Sequence, residues 1–467
     1  MRSHNVRELL SKEWRELLAS RAYWLLLLMI GPLVGQAFIT AVNLYAEASG
    51  NGSGPAALPQ GLTPLDGLLV PTFGAYDLAA TFLLPFVAIR LISAEKQSGA
   101  LKLLLQLPES LGTKIITKGL VILGGWLVAW IPGLLAIVLW RSYGGHLHAP
   151  ETLNLLLGHL LRGMLSAGIA VAAAALSENA ASAAIVTLGF TVGSWALDFI
   201  ATGRGGLLQQ LANYTPTAAL RFFEQGLLRL STVVVMLGII IASFAIAAIW
   251  LHTGRTLRGR LLATVSIALV LGVVMFGAAH LRTSWDLSEN RRNSFPRADE
   301  ATLGNIHETL RITVILSPED PRLTDFEQNV LRKLRRNLSR LEVNYAANSQ
   351  TGLFEAGDDH YGEIWYEMRG QKIMERSTIE PVVLEQIYKL SDIKPPAPSA
   401  EVDYPGYPLA ARPKWAAGIF YGAWPLLTIL IWQLVRTTWM SGWPSFFLNS
   451  RARSRPPAHA GGSDRKE

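Results

Sequence analysis

Apolar runs of about 20 residues, the length that crosses a bilayer core as a helix, recur along this chain. Seven fall at 23–42, 72–92, 114–139, 155–176, 181–200, 231–251 and 261–281, and an eighth at 415–435 follows a long polar stretch. Only Ser177, Glu178, Asn179 and Ala180 separate the fourth run from the fifth, so the pair is expected as a tight helical hairpin. Ala, Gly and Ser make up 14 of the 23 residues from 164 to 186. Small residues let membrane helices approach closely, which predicts tight packing between spans four and five. Ahead of the first run, Val6, Leu9, Leu10, Trp14, Leu17 and Leu18 recur at steps of three and four. That spacing predicts an amphipathic helix over 5–20, suited by its Lys and Arg to a membrane surface.

The polar stretch 283–412 carries different periods. Residues 311–317 read as a strand and 323–341 as a helix, with Thr324 or Asp325 as its cap. A second strand follows at 341–346, then a hairpin of 363–369 and 372–377 around Gly370–Gln371, then a closing helix at 381–390. The order predicts a small α/β layer structure. Six prolines between 394 and 413 predict an extended return to the membrane. The expected fold is an α-helical polytopic membrane protein of about eight transmembrane helices with an inserted small α/β extracytoplasmic domain. The tail from 450 to 467, rich in Arg, Pro, Gly and Ser, is expected to be disordered.

Composition agrees with the pattern. Half of the 467 residues are hydrophobic and only 16% are charged, against about 25% charged in an average soluble domain. There is no cysteine, so thiol catalysis, thiolate metal sites and disulfides are excluded. The net charge of +7 is unevenly placed: residues 282–412 hold 17 basic and 21 acidic side chains, the remainder 25 and 14. With the N-terminus cytoplasmic, the inner segments and tails carry 16 Lys and Arg against 4 in the three short outer segments. The positive-inside rule then places both termini in the cytoplasm and residues 282–414 outside it.

Candidate chemistry is sparse. No phosphate loop is present; Gly112–Thr113–Lys114 lacks the earlier glycine, position 107 being leucine. No zinc-protease, nucleophile-elbow or dinucleotide motif is present either. His146 and His148, and the cluster Asp358, Asp359, His360 and Glu363, have cation-ligand chemistry, but ordinary polar loops are the simpler reading. Lys333, Arg335, Arg336 and Arg340 read as a solvated helix face, the alternative being a contact with lipid headgroups or an acidic partner. Among ionisable residues in or near the spans, Arg90, His159, Arg162 and Asp198 are read as lying at span ends, where they cost little.

The segment S-A-E-K-Q-S-G-A-L-K-L-L-L-Q-L-P-E-S, residues 93–110, joins spans two and three. Leu101, Leu104, Leu105 and Leu107 predict a short amphipathic helix, with Gly99 as a break before it and Pro108 after it. This segment resembles the signature of type 2 ABC exporter permeases through Glu95, Lys96, Ser98, Gly99, Ala100, Leu101, Leu104, Leu105 and Pro108. The stretch 214–228 is similar to that family's segment between spans five and six, through Pro216, Phe222, Phe223, Glu224 and Gly226. A second resemblance lies in W-D-L-S-E-N-R-R-N-S-F, residues 285–295, with the strands that follow. It is similar to the auxiliary component of gliding-motility-associated (Gld-type) ABC transporters.

The resemblances imply a permease subunit fused to an auxiliary domain. Its parts are an amphipathic helix (1–22), a six-helix permease (23–260), a seventh span (261–281), an extracytoplasmic domain (282–414), an eighth span (415–435) and a basic tail (436–467). They imply that 95–108 couples to a separate ABC ATPase, which binds ATP and Mg, and that 216–226 forms a re-entrant outer segment. A second permease subunit, identical or related, would complete the pathway in a bacterial inner membrane. No cofactor, metal site or enzyme activity is expected of this chain itself. The alternatives are a membrane receptor or scaffold with an outer sensing domain, and an ion-coupled secondary transporter.

Overall fold

The computed structural model describes residues 2–51, 62–106, 109–201, 212, 215–252, 254–281, 283–317, 320–346, 360–397, 404 and 406–440. Eight helical segments are long and apolar enough to cross a membrane: Arg21–Gly50, Leu65–Ser98, Leu111–Ser142, Ala149–Leu176, Ala180–Ile200, Leu230–Leu251, Leu257–Ala279 and Gly418–Thr437. They match the eight expected runs in order and are called spans 1 to 8. The fourth is central. Its Ala167, Ala170, Val171 and Ala174 are buried, and it packs against spans 2, 5 and 6. The small residues therefore serve several neighbours rather than span 5 alone. Spans 5, 7 and 8 present wide apolar faces outward, including Ile185 and Phe199, Val273 and Phe276, and Leu426 and Leu430.

Two spans are broken at proline. A proline has no N–H to give the carbonyl four residues back. In span 2 the break falls at Leu83, before Pro85. Thr191 Oγ1 reaches the carbonyl of Thr81 at 3.5 Å, and Ser166 Oγ donates to that of Ala80 at 2.5 Å. In span 3 the break falls at Trp130, before Pro132. There the Tyr76 hydroxyl sits inside the helix ladder: it donates to the Ala129 carbonyl at 3.2 Å and accepts from the Gly133 N–H at 2.8 Å. One buried side chain thus ties span 2 into the break of span 3.

Spans 1 and 8 meet through a small-residue seam that the sequence reading did not single out. Gly31 and Gly35, one turn apart, lie so close to Trp424 and Phe420 that a Cβ on either would overlap the opposing side chain. Trp424 Nε1 donates to the Leu27 carbonyl at 2.7 Å across this seam. The N-terminal helix, Arg2–Ala19, packs its Leu17 and Trp14 over Gly125 and Gly124 of span 3.

The polar insertion folds as an α/β module at the opposite end of the bundle. Its sheet runs β4 (Leu341–Tyr345), β3 (Leu310–Val314), β5 (Ile364–Met368), β6 (Gln371–Glu375). Only β3 and β4 are parallel, because a crossover helix connects them (Pro321–Phe326 and Arg332–Asn337, joined by a wider turn). Leu310, Ile312 and Val314 alternate inward against Phe326, Val330, Leu334 and Ile387. The crossover helix starts earlier than expected. Asp320, not Thr324 or Asp325, is the cap; its carboxylate accepts the Arg322 N–H at 2.9 Å, and Pro321 fills the first turn. The hairpin turns on Arg369–Gly370, one residue ahead of the expected pair, both at positive φ. The closing helix is Glu380–Ser391. Arg297–Leu303 adds a short helix. A two-stranded ribbon, β1 (Leu227–Arg229) with β2 (Ser284–Asp286), joins module to bundle.

Candidate functional site

Three places gather the residues that carry chemistry. The first is the elbow between spans 2 and 3. Span 2 ends at Ser98, and Gly99 turns the chain at φ 77, the left-handed region that favours glycine. A seven-residue helix, Ala100–Gln106, follows. Ser110 then caps span 3, accepting the Thr113 N–H at 3.1 Å.

The base of the elbow is an ion-pair network. Glu95 is 3% exposed and lies 2.9 Å from Lys118 Nζ, itself 3% exposed. Lys118 also meets Glu13 at 2.6 Å, and Lys12 bridges Glu95, Glu13 and Glu16. Burial opposes the charge on Lys12, but the adjacent Glu95 and Glu13 carboxylates outweigh it and raise its pKa. Burial and then the Glu95 charge push Glu16 upward. Three carboxylates of Glu13, Glu16 and Glu95 converge closely enough to suggest a metal; the two lysine ammonium groups already supply cations there. Lys96 donates to the carbonyls of Ala174, Ala175 and Ser177 at 2.9, 2.9 and 2.7 Å, capping span 4.

Glu95 and Lys96 therefore face the protein, tying the elbow to the N-terminal helix and to spans 3 and 4. The outward surface is made by Gln97, Ser98, Leu103 and Gln106, with Leu103 at 69% exposure. Leu101 is half-buried against the bundle core. The side chains of Leu104 and Leu105, and Pro108 entirely, lie outside the described residues.

The second place is the joint at the module end. Pro216–Glu224 forms a short helix capped by Thr215, whose hydroxyl accepts the Ala218 N–H at 3.2 Å. Phe223 is fully buried against Gly158 of span 4, and Asn154 Nδ2 donates to its carbonyl at 3.0 Å. Gly226 is required twice over: its φ is 76, and a Cβ would press on the Ser288 backbone. The 285–295 motif completes the joint. Arg292 donates from Nε to the Gln225 carbonyl at 3.1 Å and from Nη2 to the Glu224 carbonyl at 3.2 Å, and pairs with Asp66 at the start of span 2. The Asp286 carboxylate accepts from Ser288 N, Asn293 N and Ser294 Oγ, holding the motif in a tight turn. Glu289 gathers His146 at 2.8 Å and the Tyr407 hydroxyl at 2.9 Å, while its N–H donates to Glu151 at 3.0 Å. His146 is thus a structural partner of Glu289. In the other suspected cation cluster, Asp358 and Asp359 lie outside the described residues, and Glu363 is held by His360, Trp365 and Arg376.

The third place lies inside the bundle. Because span 4 starts at Ala149, His159 and Arg162 are not terminal as the sequence suggested; Arg162 stands at mid-helix and both are 1% exposed. Arg162 Nε donates to Asp77 of span 2 at 2.9 Å and Nη2 to Thr81 at 3.0 Å. The His159 ring lies tilted beside Phe73, and its Nε2 is 4.0 Å from the Glu224 carboxylate. Both imidazole nitrogens and Arg162 Nη1 are buried without a hydrogen-bond partner among the described residues. Burial, then the charge of Asp77, raises the Glu224 carboxyl to about 7, with Arg221 opposing. Arg221 reaches out of this group to Asp198 of span 5 at 2.5 Å. Asp77 belongs to no sequence motif; its place inside an apolar run, about two turns before Pro85, was the available signal.

Compared with known proteins, no family model, no curated protein and no solved structure matches the chain.

Proposed function

We propose that this chain is the membrane subunit of an ATP-driven exporter whose ATPase is a separate protein. The observation that carries the reading is the elbow helix Ala100–Gln106. Its outer face is exposed at Leu103 and Gln106, while its base is cross-linked by Glu95, Lys96, Lys118 and Lys12 to three other helices. A soluble partner that grips the exposed face pulls on spans 2, 3 and 4 together, because buried ion pairs resist being separated. The breaks at Leu83 and Trp130 are where spans 2 and 3 can bend, and Tyr76 of span 2 holds the second of them. At the far end the 285–295 joint carries such a movement to the α/β module. ATP and Mg belong to the partner ATPase. A second membrane subunit, a copy of this chain or a related one, completes the pathway, and the host membrane is a bacterial inner membrane with residues 282–414 outside.

The test is co-purification of the tagged chain with an ATPase and assay of ATP hydrolysis by the complex. Leu103→Asp removes the ATPase from the complex without loss of the folded membrane subunit, and Arg369→Gln on the distant module leaves it bound. A chain that functions alone, or a complex indifferent to Leu103→Asp, overturns the reading.

One observation favours an ion-coupled transporter as a second reading. Asp77, His159 and Glu224, with the fixed charge of Arg162 among them, form an ionisable chain at the bundle, the kind of feature that marks proton pathways. Proton uptake by proteoliposomes driven by a pH gradient alone, abolished by Asp77→Asn, would select it over the exporter.

A further inference from the structure

A cavity of about 440 Å³ opens where the module sits over spans 6 and 7. That is within the size range of small-molecule sites. Three helices line it with apolar side chains: Leu165 of span 4, Val235, Met236 and Ile239 of span 6, Met275 and Ala278 of span 7. Two of these are methionines, whose flexible thioethers pack against partners of no fixed shape. Span 7, which supplies Met275, turns Val273 and Phe276 outward at 72% and 71% exposure. Within one turn of that helix, the cavity wall therefore continues into the apolar face that a membrane-spanning helix gives to lipid.

Arginines ring the mouth, but each is already engaged inside the protein. Arg336 pairs with Glu300. Arg332 is attracted by Glu327 and donates to the Gln225 side-chain carbonyl at 3.2 Å. Arg335 donates to the Tyr345 hydroxyl at 3.4 Å, and that hydroxyl donates in turn to Glu327. Arg229 is held within the protein and lies 4.5 Å from the centre of the Phe222 ring. Charge therefore does not select the occupant. A guanidinium carries five N–H donors, more than the bonds of Arg332 and Arg335 use. With the hydroxyls of Ser231, Thr232 and Ser284 on the same lining, they offer hydrogen bonds to neutral oxygens above a hydrocarbon-lined wall.

We propose that this cavity takes up an uncharged amphiphile from the surrounding bilayer, a glyceride-type lipid, with its acyl chain between spans 4, 6 and 7. Its ester and hydroxyl oxygens meet Ser231, Thr232 and the arginine N–H groups. An anionic headgroup would compete with Glu300 and Glu327 for the same guanidinium groups, and a cationic one would be repelled by them. A hydrocarbon without a headgroup gains nothing from the donors at the mouth. The spans supply the wall and the module supplies the mouth, so the site exists only where the module docks on the bundle. The proposal stands whether or not the chain couples to an ATPase.

The experiment uses the full chain in phosphatidylcholine nanodiscs and a photoreactive monoacylglycerol with a diazirine in its acyl chain. The labelled positions are mapped by peptide mass spectrometry. Saturable labelling concentrated in 231–239 and 275–279 is expected, with monododecanoylglycerol competing for it. Dodecyl phosphate and dodecyltrimethylammonium, of equal chain length, compete at least tenfold less well. Val235→Trp and, separately, Met275→Trp fill the apolar wall and lower the labelling at least tenfold, and Arg369→Gln elsewhere on the module leaves it unchanged. Thermal melting of each variant confirms that the fold persists, and two variants in different helices guard against one that fails to fold. Labelling spread evenly over the outward faces of spans 5, 7 and 8 marks ordinary bilayer lipid and overturns the proposal. So does dodecyl phosphate competing as well as monododecanoylglycerol, and so does labelling indifferent to both tryptophan substitutions.

Discussion

Glu224 and Lys118 show how far one residue's surroundings decide its behaviour. The folded chain holds the Glu224 proton up to about pH 7, against 4.5 for an ordinary glutamate. Between those values the folded state binds a proton that the unfolded state has released. This contribution is complete below pH 4.5 and is lost as the pH rises through 7. Melting temperature in detergent is therefore expected to fall from pH 5 to pH 8, and Glu224→Gln to flatten the profile. Lys118 works through pairing. Lys118→Met leaves Glu13 and Glu95 buried beside each other with Lys12 alone, among the described residues, to answer both, a loss of about 3 kcal/mol or more. Denaturant unfolding of the variant checks it, and an unchanged midpoint would show that the network contributes nothing.

Among the elements, the proline break in span 3 depends on one hydroxyl from span 2. Tyr76→Phe keeps the ring that packs edge-on against Trp126 and Trp130 but strips the partner from the Gly133 N–H and the Ala129 carbonyl. Leaving such groups buried and unmet costs about 1–3 kcal/mol. Faster hydrogen exchange confined to residues around 129–134 is expected. Uniform exchange across span 3 would show that the break is held by packing alone. The elbow is the complementary case: its helix is too short to be stable by itself, and its position derives from Glu95 and Lys96 at its root.

For the whole molecule, the 285–295 joint decides whether module and bundle move as one. Arg292→Ala removes the Asp66 ion pair and two helix-end carbonyl partners, where hydrogen bonds to a charged group are each worth about 1.5–3 kcal/mol. Limited proteolysis near the joint is expected to accelerate at least tenfold while the isolated spans stay folded. Orientation is checked by the lack of native cysteine: a single cysteine at Gln97 is expected to react only from the cytoplasmic side, and one at Arg369 only from the other. Labelling of both from one side would overturn the expected topology.

The eight spans and nearly every strand of the module were legible in the sequence, because length of apolar run and period of alternation are local properties that burial enforces one element at a time. The roles of the matched motif residues were not legible. Glu95 and Lys96 look like contacts for a partner when only their neighbours in the chain are known, and folding brings Lys118, Lys12 and the end of span 4 onto them from 23 to 83 residues away. His159 and Arg162 looked terminal because the apolar run that defines span 4 begins after polar residues that are nonetheless helical. Asp77 gained meaning only opposite Arg162. Charge pairing, close approach at glycine and the enclosure of a cavity are relations between distant segments, and the packing of the helices determines which segments meet.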